Sequence, residues 1–378
     1  MRERIEAYLE SKFGVPVRIL SISELGLKAE AEAAKEASEK TEEIKGFGYG
    51  KPLLVSFECV KPADVGDGEG EVKQRKEVVI STMKADAFGH QHFSDRARIL
   101  LWQFHAFNSL PKHVRALDVG YFSRDSSLRS VSDAEEFFLV CEKVEGVEYA
   151  RDLKELLSGV REFRKEDEEK AVALASYLAE IHALKKDAPD LYLRKLRELV
   201  GDSECIFGLA DSYPSDFFIS SEELKEIEKK CVDWRWKLKS KVRRLSKVHG
   251  DFHPWNVIFS GKDFVVLDRS RGEWGEPADD VVAMAINYIF FSLLKYGSLA
   301  AEFKRLFEAF FETYLRETGD EEILEVVQPF FAFRGLVIAS PIWYPQISAE
   351  TRRKIFNFIE NVLNEDVFEY KNVNDYLK

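Results

Sequence analysis

Residues 248-VHGDFHPWNVIF-259 set two histidines, His249 and His253, around an aspartate in a chain with 7 histidines among 378 residues. Histidines at i and i+4 are how a helix presents two zinc ligands on one face. Gly250 and Pro254 lie within and beside the pair. Proline breaks a helix there, because it lacks the N–H and its ring crowds the preceding turn. A zinc protease also needs glutamate after its first histidine, and this chain has Gly250. The histidine reading weakens, and the aspartate between them becomes the residue to explain.

Measured from Asp251, Asn256 lies five residues on and Asp268 a further twelve. Between them 257-VIF-259, 260-SGKD-263 and 264-FVVL-267 spell a β-hairpin around a glycine-containing turn. Closing the hairpin brings Asn256, at its entrance, near Asp268, at its exit. Phosphoryl transfer needs such a set. One carboxylate orients the acceptor hydroxyl and takes its proton, and two hard oxygen ligands hold Mg²⁺ on the nucleotide phosphates. An Asp-x4-Asn loop followed by an Asp at a strand end is the arrangement of kinase catalytic and metal loops. On this reading His249 packs and hydrogen-bonds under the loop, while Gly250, Pro254 and Trp255 shape its turns.

The rest of the chain fits a two-lobed protein. Its length exceeds one usual core, and 45% apolar with 13% aromatic residues fills large interiors. A net charge of −12 makes it a poor general binder of nucleic acid or of an anionic membrane. The basic run 237-KLKSKVRRLSK-247 reads as the solvated face of a helix. Cys59, Cys141, Cys205 and Cys231 form no CxxC pair and read as reduced and mostly buried. The N-terminal segment lacks a signal-peptide core, and 285-AINYIFFSLL-294 is half a membrane span. A cytoplasmic protein is expected.

Strand character marks the first third. Strands are expected over 15–22, 53–60 and 78–84, with 61–77 as a long hairpin loop and 26–45 as a helical insertion or linker. Ser94 is expected to cap a helix reaching about Asn108, and 137-FFLVCEKVEG-146 to be a buried strand with a polar exit. Helical periodicity then dominates, over 168–186, 222–242, 299–317 and 349–363. The expected class is α+β, with a strand-rich N-lobe over 1–143 and a mainly helical C-lobe over 144–378.

With these motifs in order, the chain resembles the aminoglycoside phosphotransferase family of kinase-fold small-molecule kinases. The resemblance rests on His249-Gly250-Asp251-Phe252-His253-Pro254-x-Asn256, then Asp268, then 275-GEPADDV-281. It implies Asp251 as catalytic base, Asn256 and Asp268 as Mg²⁺ ligands, and Asp280 as support of the catalytic loop. The segment 178-LAEIHAL-184 matches the family's pre-catalytic helix, with His182 structural. The resemblance also implies ATP and Mg²⁺ as cofactors and a hydroxyl-bearing small molecule as acceptor.

On the nucleotide side, 46-GFGYG-50 is either the phosphate loop, through Gly46, Gly48 and Gly50, or a plain turn. Lys84 is either the lysine for the α- and β-phosphates or an exposed strand end. The hinge that would meet adenine falls at Glu142 and Val144. The following helix offers Asp95 as its only acid, where the family has a glutamate for that lysine. After Asp268 the chain reads Arg269-Ser270-Arg271-Gly272. Those arginines either contact phosphate or an acidic substrate, or neutralise Glu273, Glu276 and Asp279. Segments 202–218 and 340–345 are candidates for acceptor contact or for ordinary packing.

Two other classes stay open. A non-catalytic ATP-binding scaffold would keep the fold without turnover. A metal-dependent phosphoesterase would use Asp251-Phe252-His253 with 89-GHQH-92, pieces that resemble dinuclear metallophosphoesterases in reversed order. The 90-HQH-92 pair itself reads as a loop without a metal.

Overall fold

The computed structural model describes residues 1–24, 52–62, 71–215 and 217–378. Residues 26–45 and the glycines Gly46, Gly48 and Gly50 lie outside the described residues. The chain divides into two compact units, Met1–Val140 and Cys141–Lys378. The boundary expected after residue 143 falls three residues beyond this division.

The first unit contains a three-stranded sheet packed against its first helix, followed by a second helix and a short hairpin. Helix α1 (Arg2–Phe13) ends at Gly14, whose φ of 65° is the left-handed turn that glycine adopts without a Cβ clash. Strands β1 (Val17–Glu24), β2 (Leu53–Pro62) and β3 (Glu71–Ile80) pair antiparallel in that order. Ile5 and Leu9 of α1 pack with Val17, Ile19, Val55, Phe57 and Cys59 of the sheet.

Strand β3 reaches back to Glu71, so most of the hairpin loop expected over 61–77 is paired strand. Its charged sequence suits an edge strand. Lys73, Arg75 and Glu77 are exposed on one face, a pattern that discourages further strand addition but reads as loop. The strand also stops at Ile80, which leaves Lys84 exposed in the coil beyond it. Helix α2 (Phe93–Ser109) is capped by His92, not Ser94, with Asp95 Oδ2 accepting from His92 N at 2.8 Å. A hairpin of β4 (Gly120–Phe122) and β5 (Leu128–Ser130) follows.

The strand expected over 137–146 does not form. Phe138 is 89% exposed, Leu139 86% and Val140 82%, and the chain stays irregular up to a two-residue strand β6 (Val147–Glu148). An apolar run becomes a strand only where a neighbour satisfies its backbone. Among the described residues no strand pairs with 137–146, which is the connection between the two units.

The second unit is mainly helical. Its helices include α3 (Tyr149–Ser158), α4 (Lys165–His182), α5 (Pro189–Gly201), α6 (Ile206–Asp211) and α7 (Ser221–Leu238). After the site come α8 (Pro277–Tyr296), α9 (Ala301–Thr318), α10 (Gln328–Ala339), α11 (Ala349–Asn364) and α12 (Val373–Tyr376). Helix α8 is long and apolar enough to cross a membrane by length and composition, but 89% of that window is buried inside the protein. It is the central helix of this unit's core.

Short ladders between the helices position the site. Strand β7 (Ser246–Lys247) pairs with β10 (Trp274–Gly275), and β8 (Val257–Ser260) pairs with β9 (Asp263–Val266) and with β6. Strand β7 runs directly into 248–253, and β10 runs directly into the N-terminus of α8. One ladder thus sets the loop that holds Asp251 against the first turn that holds Asp280.

Candidate active site

The loop is held from beneath by Asp280. This residue is fully buried, and its Oδ1 accepts from Gly250 N at 2.7 Å while Oδ2 accepts from His249 N at 2.7 Å. His182 Nε2 lies 3.1 Å from Oδ2, and His182 Nδ1 lies 2.9 Å from the Tyr314 hydroxyl. Asp280 sits in the first turn of α8, where the helix dipole favours a carboxylate. Gly250 has φ 89°, and a Cβ there would meet the Arg271 Cβ at 3.1 Å. His249 is buried under the loop and its Nδ1 accepts from Asp251 N at 3.3 Å, while its Nε2 finds no partner among the described residues. Phe252 anchors the loop in the core, stacked on Tyr177 with ring centroids 5.8 Å apart.

Asp251 projects from this support onto a residue that sequence reading missed. Arg334 of α10 donates through Nη1 to Asp251 Oδ1, and through Nη2 to Gly250 O at 3.2 Å and Asp279 Oδ1 at 2.7 Å. Burial pushes the Asp251 carboxyl up, but the charges of Arg334, His253 and Arg271 and the Arg334 hydrogen bond together outweigh it and hold it below the usual carboxylate range. Burial dominates at Asp279 and raises it, despite the same guanidinium. Asp251 Oδ2 carries no hydrogen bond among the described residues, and His253 Nε2 is 3.6 Å away. Burial lowers the His253 imidazole, against the pull of Asp251. A signal for Arg334 existed: it is the one charged residue in the apolar sequence of α10, and a buried charge demands a partner.

The hairpin closes in the register its sequence suggests. Val257 pairs with Val266 and Ser260 with Asp263 across Gly261, whose φ is 66°. Leu267 N donates to Asn256 O at 2.8 Å, which places Asp268 one residue beyond the partner of Asn256. Asn256 Nδ2 donates to Asp251 O at 3.0 Å, which turns the amide so that Oδ1 is left without a hydrogen bond among the described residues. Asp268 is exposed, and its carboxylate likewise has no partner among them. Its φ of 54° is a left-handed conformation for a non-glycine residue, uncommon but one that Asp adopts more readily than most.

These observations bear on a divalent cation. Asp251, Asp279 and Asp280 are all engaged by protein groups, whereas Asn256 Oδ1 and Asp268 are neighbouring hard oxygens with no partner among the described residues. That donor set fits Mg²⁺, which takes few protein oxygens and keeps several waters. The zinc and phosphoesterase readings find no support. His90 pairs with Asp86 at 2.9 Å, His92 caps α2, and among the described residues no three His, Cys, Asp or Glu side chains converge as a metal cage.

The two arginines after Asp268 bond elsewhere than to the Glu273, Glu276 or Asp279 carboxylates, although the Arg271 charge still pulls the Asp279 carboxyl down against its burial. Arg269 donates to Val248 O at 2.7 and 2.9 Å and to Glu273 O at 3.1 Å, so it ties backbone carbonyls and not the Glu273 carboxylate. Arg271 approaches Glu204 at 3.7 Å and Cys205 Sγ at 3.3 Å, and lies over the Phe333 ring. Glu276 is instead paired with Arg244 at 2.9 Å and accepts from the Tyr192 hydroxyl at 2.8 Å. In 202–218, Cys205, Ile206, Leu209 and Tyr213 are core residues. In 340–345, Tyr344 packs against Phe290 and Trp255, while Ile342 and Trp343 are exposed.

The nucleotide-side residues are less developed. Lys84 makes no ion pair among the described residues, and Asp95 is engaged as the cap of α2. Glu142 is exposed and Val144 half-buried, both in irregular chain rather than in a strand.

The model of the phosphotransferase enzyme family, APH, matches residues 103–324, more than half of the chain. The chain belongs to this family. The family match begins within α2, beyond Lys84, and ends before Arg334. A curated relative is the probable serine/threonine-protein kinase BUD32 homolog of Archaeoglobus fulgidus, 29% identical over 109 residues, covering 28% of this chain and 53% of that protein. Among solved structures, an amicoumacin kinase in complex with AMP-PNP, Ca²⁺ and Ami is 12% identical, with 92% of this chain and 97% of that one covered and a TM-score of 0.42. A glucosamine kinase is 15% identical, with 61% and 55% covered and a TM-score of 0.34. The chain thus spans about half the length of this kinase and of the curated relative.

Proposed function

We propose that this family member transfers the γ-phosphoryl group of ATP to a hydroxyl of a small molecule. The observation that carries this reading is a pair of oxygens without a partner among the described residues, Asn256 Oδ1 and Asp268, set by one hairpin beside a half-buried, Arg-paired Asp251. Asp251 would accept a hydrogen bond from the acceptor hydroxyl through its free Oδ2 and orient the nucleophile. Asn256 and Asp268 would hold Mg²⁺, which when bound neutralises charge on the phosphate oxygens. Asp280 fixes the loop backbone on which Asp251 stands. Lys84, exposed and without an ion pair among the described residues, is the proposed phosphate contact, and the irregular backbone at Glu142 and Val144 the proposed adenine contact. The setting is the cytoplasmic pool of ATP.

The first test is thermal. A ligand at about 100 times its Kd stabilises by about 2.7 kcal/mol, which for a unit of this size raises Tm by roughly 5–10 °C. Mg²⁺-ATP should do so, and the Mg²⁺-dependent part should vanish in Asn256→Ala and Asp268→Ala. Labelled ATP should then be consumed slowly by the wild type and faster with a true acceptor, and Asp251→Ala should abolish both. No rise in Tm with Mg²⁺-ATP sinks the proposal. The lack of an acidic partner for Lys84 among the described residues favours a second reading, a nucleotide-binding scaffold. That reading predicts the rise in Tm without any turnover that depends on Asp251.

A further inference from the structure

Arg334 lies outside the residues matched by the family and makes a contact that a purely structural role does not require. It is 6% exposed, and a buried guanidinium is costly unless paired and hydrogen-bonded. Asp279 alone would supply that partner at 2.7 Å. The side chain instead divides its two terminal nitrogens. Nη2 holds Asp279 and Gly250 O, and Nη1 is spent on Asp251 Oδ1. Its Nε stays buried without a partner among the described residues, so the geometry is set by the two Nη contacts and not by saturating the guanidinium.

The position of α10 is itself fixed closely. A Cβ on Gly335 would meet Ile359 Cγ1 of α11 at 2.6 Å, so glycine is what lets the two helices approach this far. The Tyr213 hydroxyl donates to Leu336 O at 2.7 Å, and the Arg334 guanidinium lies over the Phe333 ring. A rigid helix therefore presents one guanidinium nitrogen, Nη1, to one oxygen of Asp251 while Nη2 holds Gly250 O and Asp279. That fixes the carboxylate rotamer and leaves Oδ2 as the oxygen open to a hydroxyl.

We propose that Arg334 is a positioning residue for Asp251, clamping Oδ1 and the loop carbonyl of Gly250 so that Oδ2 alone is presented to the acceptor. This rests on the phosphotransferase reading above. The role is geometric, so a point charge replaces it poorly. Lysine lacks the planar fork that reaches Asp251, Gly250 and Asp279 together.

The experiment compares Arg334→Ala, Arg334→Gln and Arg334→Lys with the wild type in acceptor-independent ATP hydrolysis. Mg²⁺-ATP stabilisation is measured alongside. Displacing a catalytic group by about 1 Å costs on the order of 100-fold, so the kcat of Arg334→Ala should fall about 100-fold while KM for ATP changes less than about threefold. Arg334→Lys should recover part of this and stay about tenfold below the wild type, for lack of the fork. Millimolar guanidinium ion should raise the rate of Arg334→Ala but not of Asp251→Ala, which a loss of folding alone would not produce. Should Arg334→Ala not fold, Arg334→Gln keeps polar ends in the same space and carries the comparison. A folded Arg334→Gln or Arg334→Ala with wild-type kcat overturns the proposal, and so does absence of guanidinium rescue. A wild type that neither binds Mg²⁺-ATP nor turns it over overturns the phosphotransferase reading itself, a different result from an active wild type with indifferent Arg334 variants.

Discussion

Replacing Asp280 by alanine should unfasten the catalytic loop, and the cost can be worked from its contacts. The carboxylate accepts two backbone N–H bonds at 2.7 Å and faces His182 Nε2 at 3.1 Å, all in full burial. Hydrogen bonds to charged groups contribute about 1.5–3 kcal/mol each, and the two amides left without an acceptor would each cost about 1–3 kcal/mol. These contributions share one group and do not add, so a loss of about 3–5 kcal/mol is expected, the range seen when one partner of a buried charged network is removed. Asp280→Asn should recover some of it. Its single carbonyl oxygen can serve one loop amide, while its NH₂ opposes the other. Urea unfolding of the full chain followed by tryptophan fluorescence suits the measurement, because Trp234, Trp236, Trp255, Trp274 and Trp343 all lie in the second unit. A loss below about 1 kcal/mol for the alanine variant would refute the claim that Asp280 supports the loop, since it lies under the value of even one such bond.

Gly250→Ala should destabilise the second unit by about 2 kcal/mol, because a left-handed φ costs an L-residue about 1–2 kcal/mol before the 3.1 Å contact with Arg271 is relieved; a urea midpoint equal to the wild type would contradict this. The first unit should be acid-labile through Asp118. Burial raises that carboxyl, but hydrogen bonds from Ser130 and Tyr8, with Lys12 nearby, hold it below its ordinary value. A depressed folded-state pKa gives stability that is present above the unfolded pKa and lost as pH falls through the folded one. The melting temperature of the wild type should therefore drop as pH falls below about 4, the ordinary aspartate range, and Asp118→Asn should flatten that slope. Parallel slopes would show that Asp118 carries no such linkage.

What the sequence disclosed follows the distance over which each feature is determined. The hairpin from Val257 to Val266 is local, so alternation and Gly261 were enough to read it, and its closure put Asn256 and Asp268 together. Helices with a 3.6-residue stripe, such as α4 and α9, were legible for the same reason. Strands depend on partners. The charged half of β3 read as loop because an edge strand needs no apolar outer face, and 137–146 read as a strand although no partner runs beside it. The clamp on Asp251 was least legible. Arg334 is 83 positions from Asp251 in the chain, and only the packing of α10 against α11 through Gly335 brings the two together.

The same clamp also discriminates between kinds of chemistry. A guanidinium on Oδ1 lowers the basicity of Asp251, which would be self-defeating in an enzyme that must pull a proton from a weak acid, where the useful base sits near the working pH. Phosphoryl transfer makes a smaller demand. Its transition state is loose, bonding to the nucleophile is slight when the bond to the leaving group is largely broken, and the hydroxyl keeps its proton until late. What the carboxylate must supply is direction, one oxygen at a fixed place, and a rigid Arg334 contact gives direction at the expense of base strength that is not needed. The residues around Asp251 are thus arranged to restrict its rotamer rather than to raise its pKa. This arrangement suits the proposed phosphoryl transfer better than it would suit proton abstraction from a weak acid.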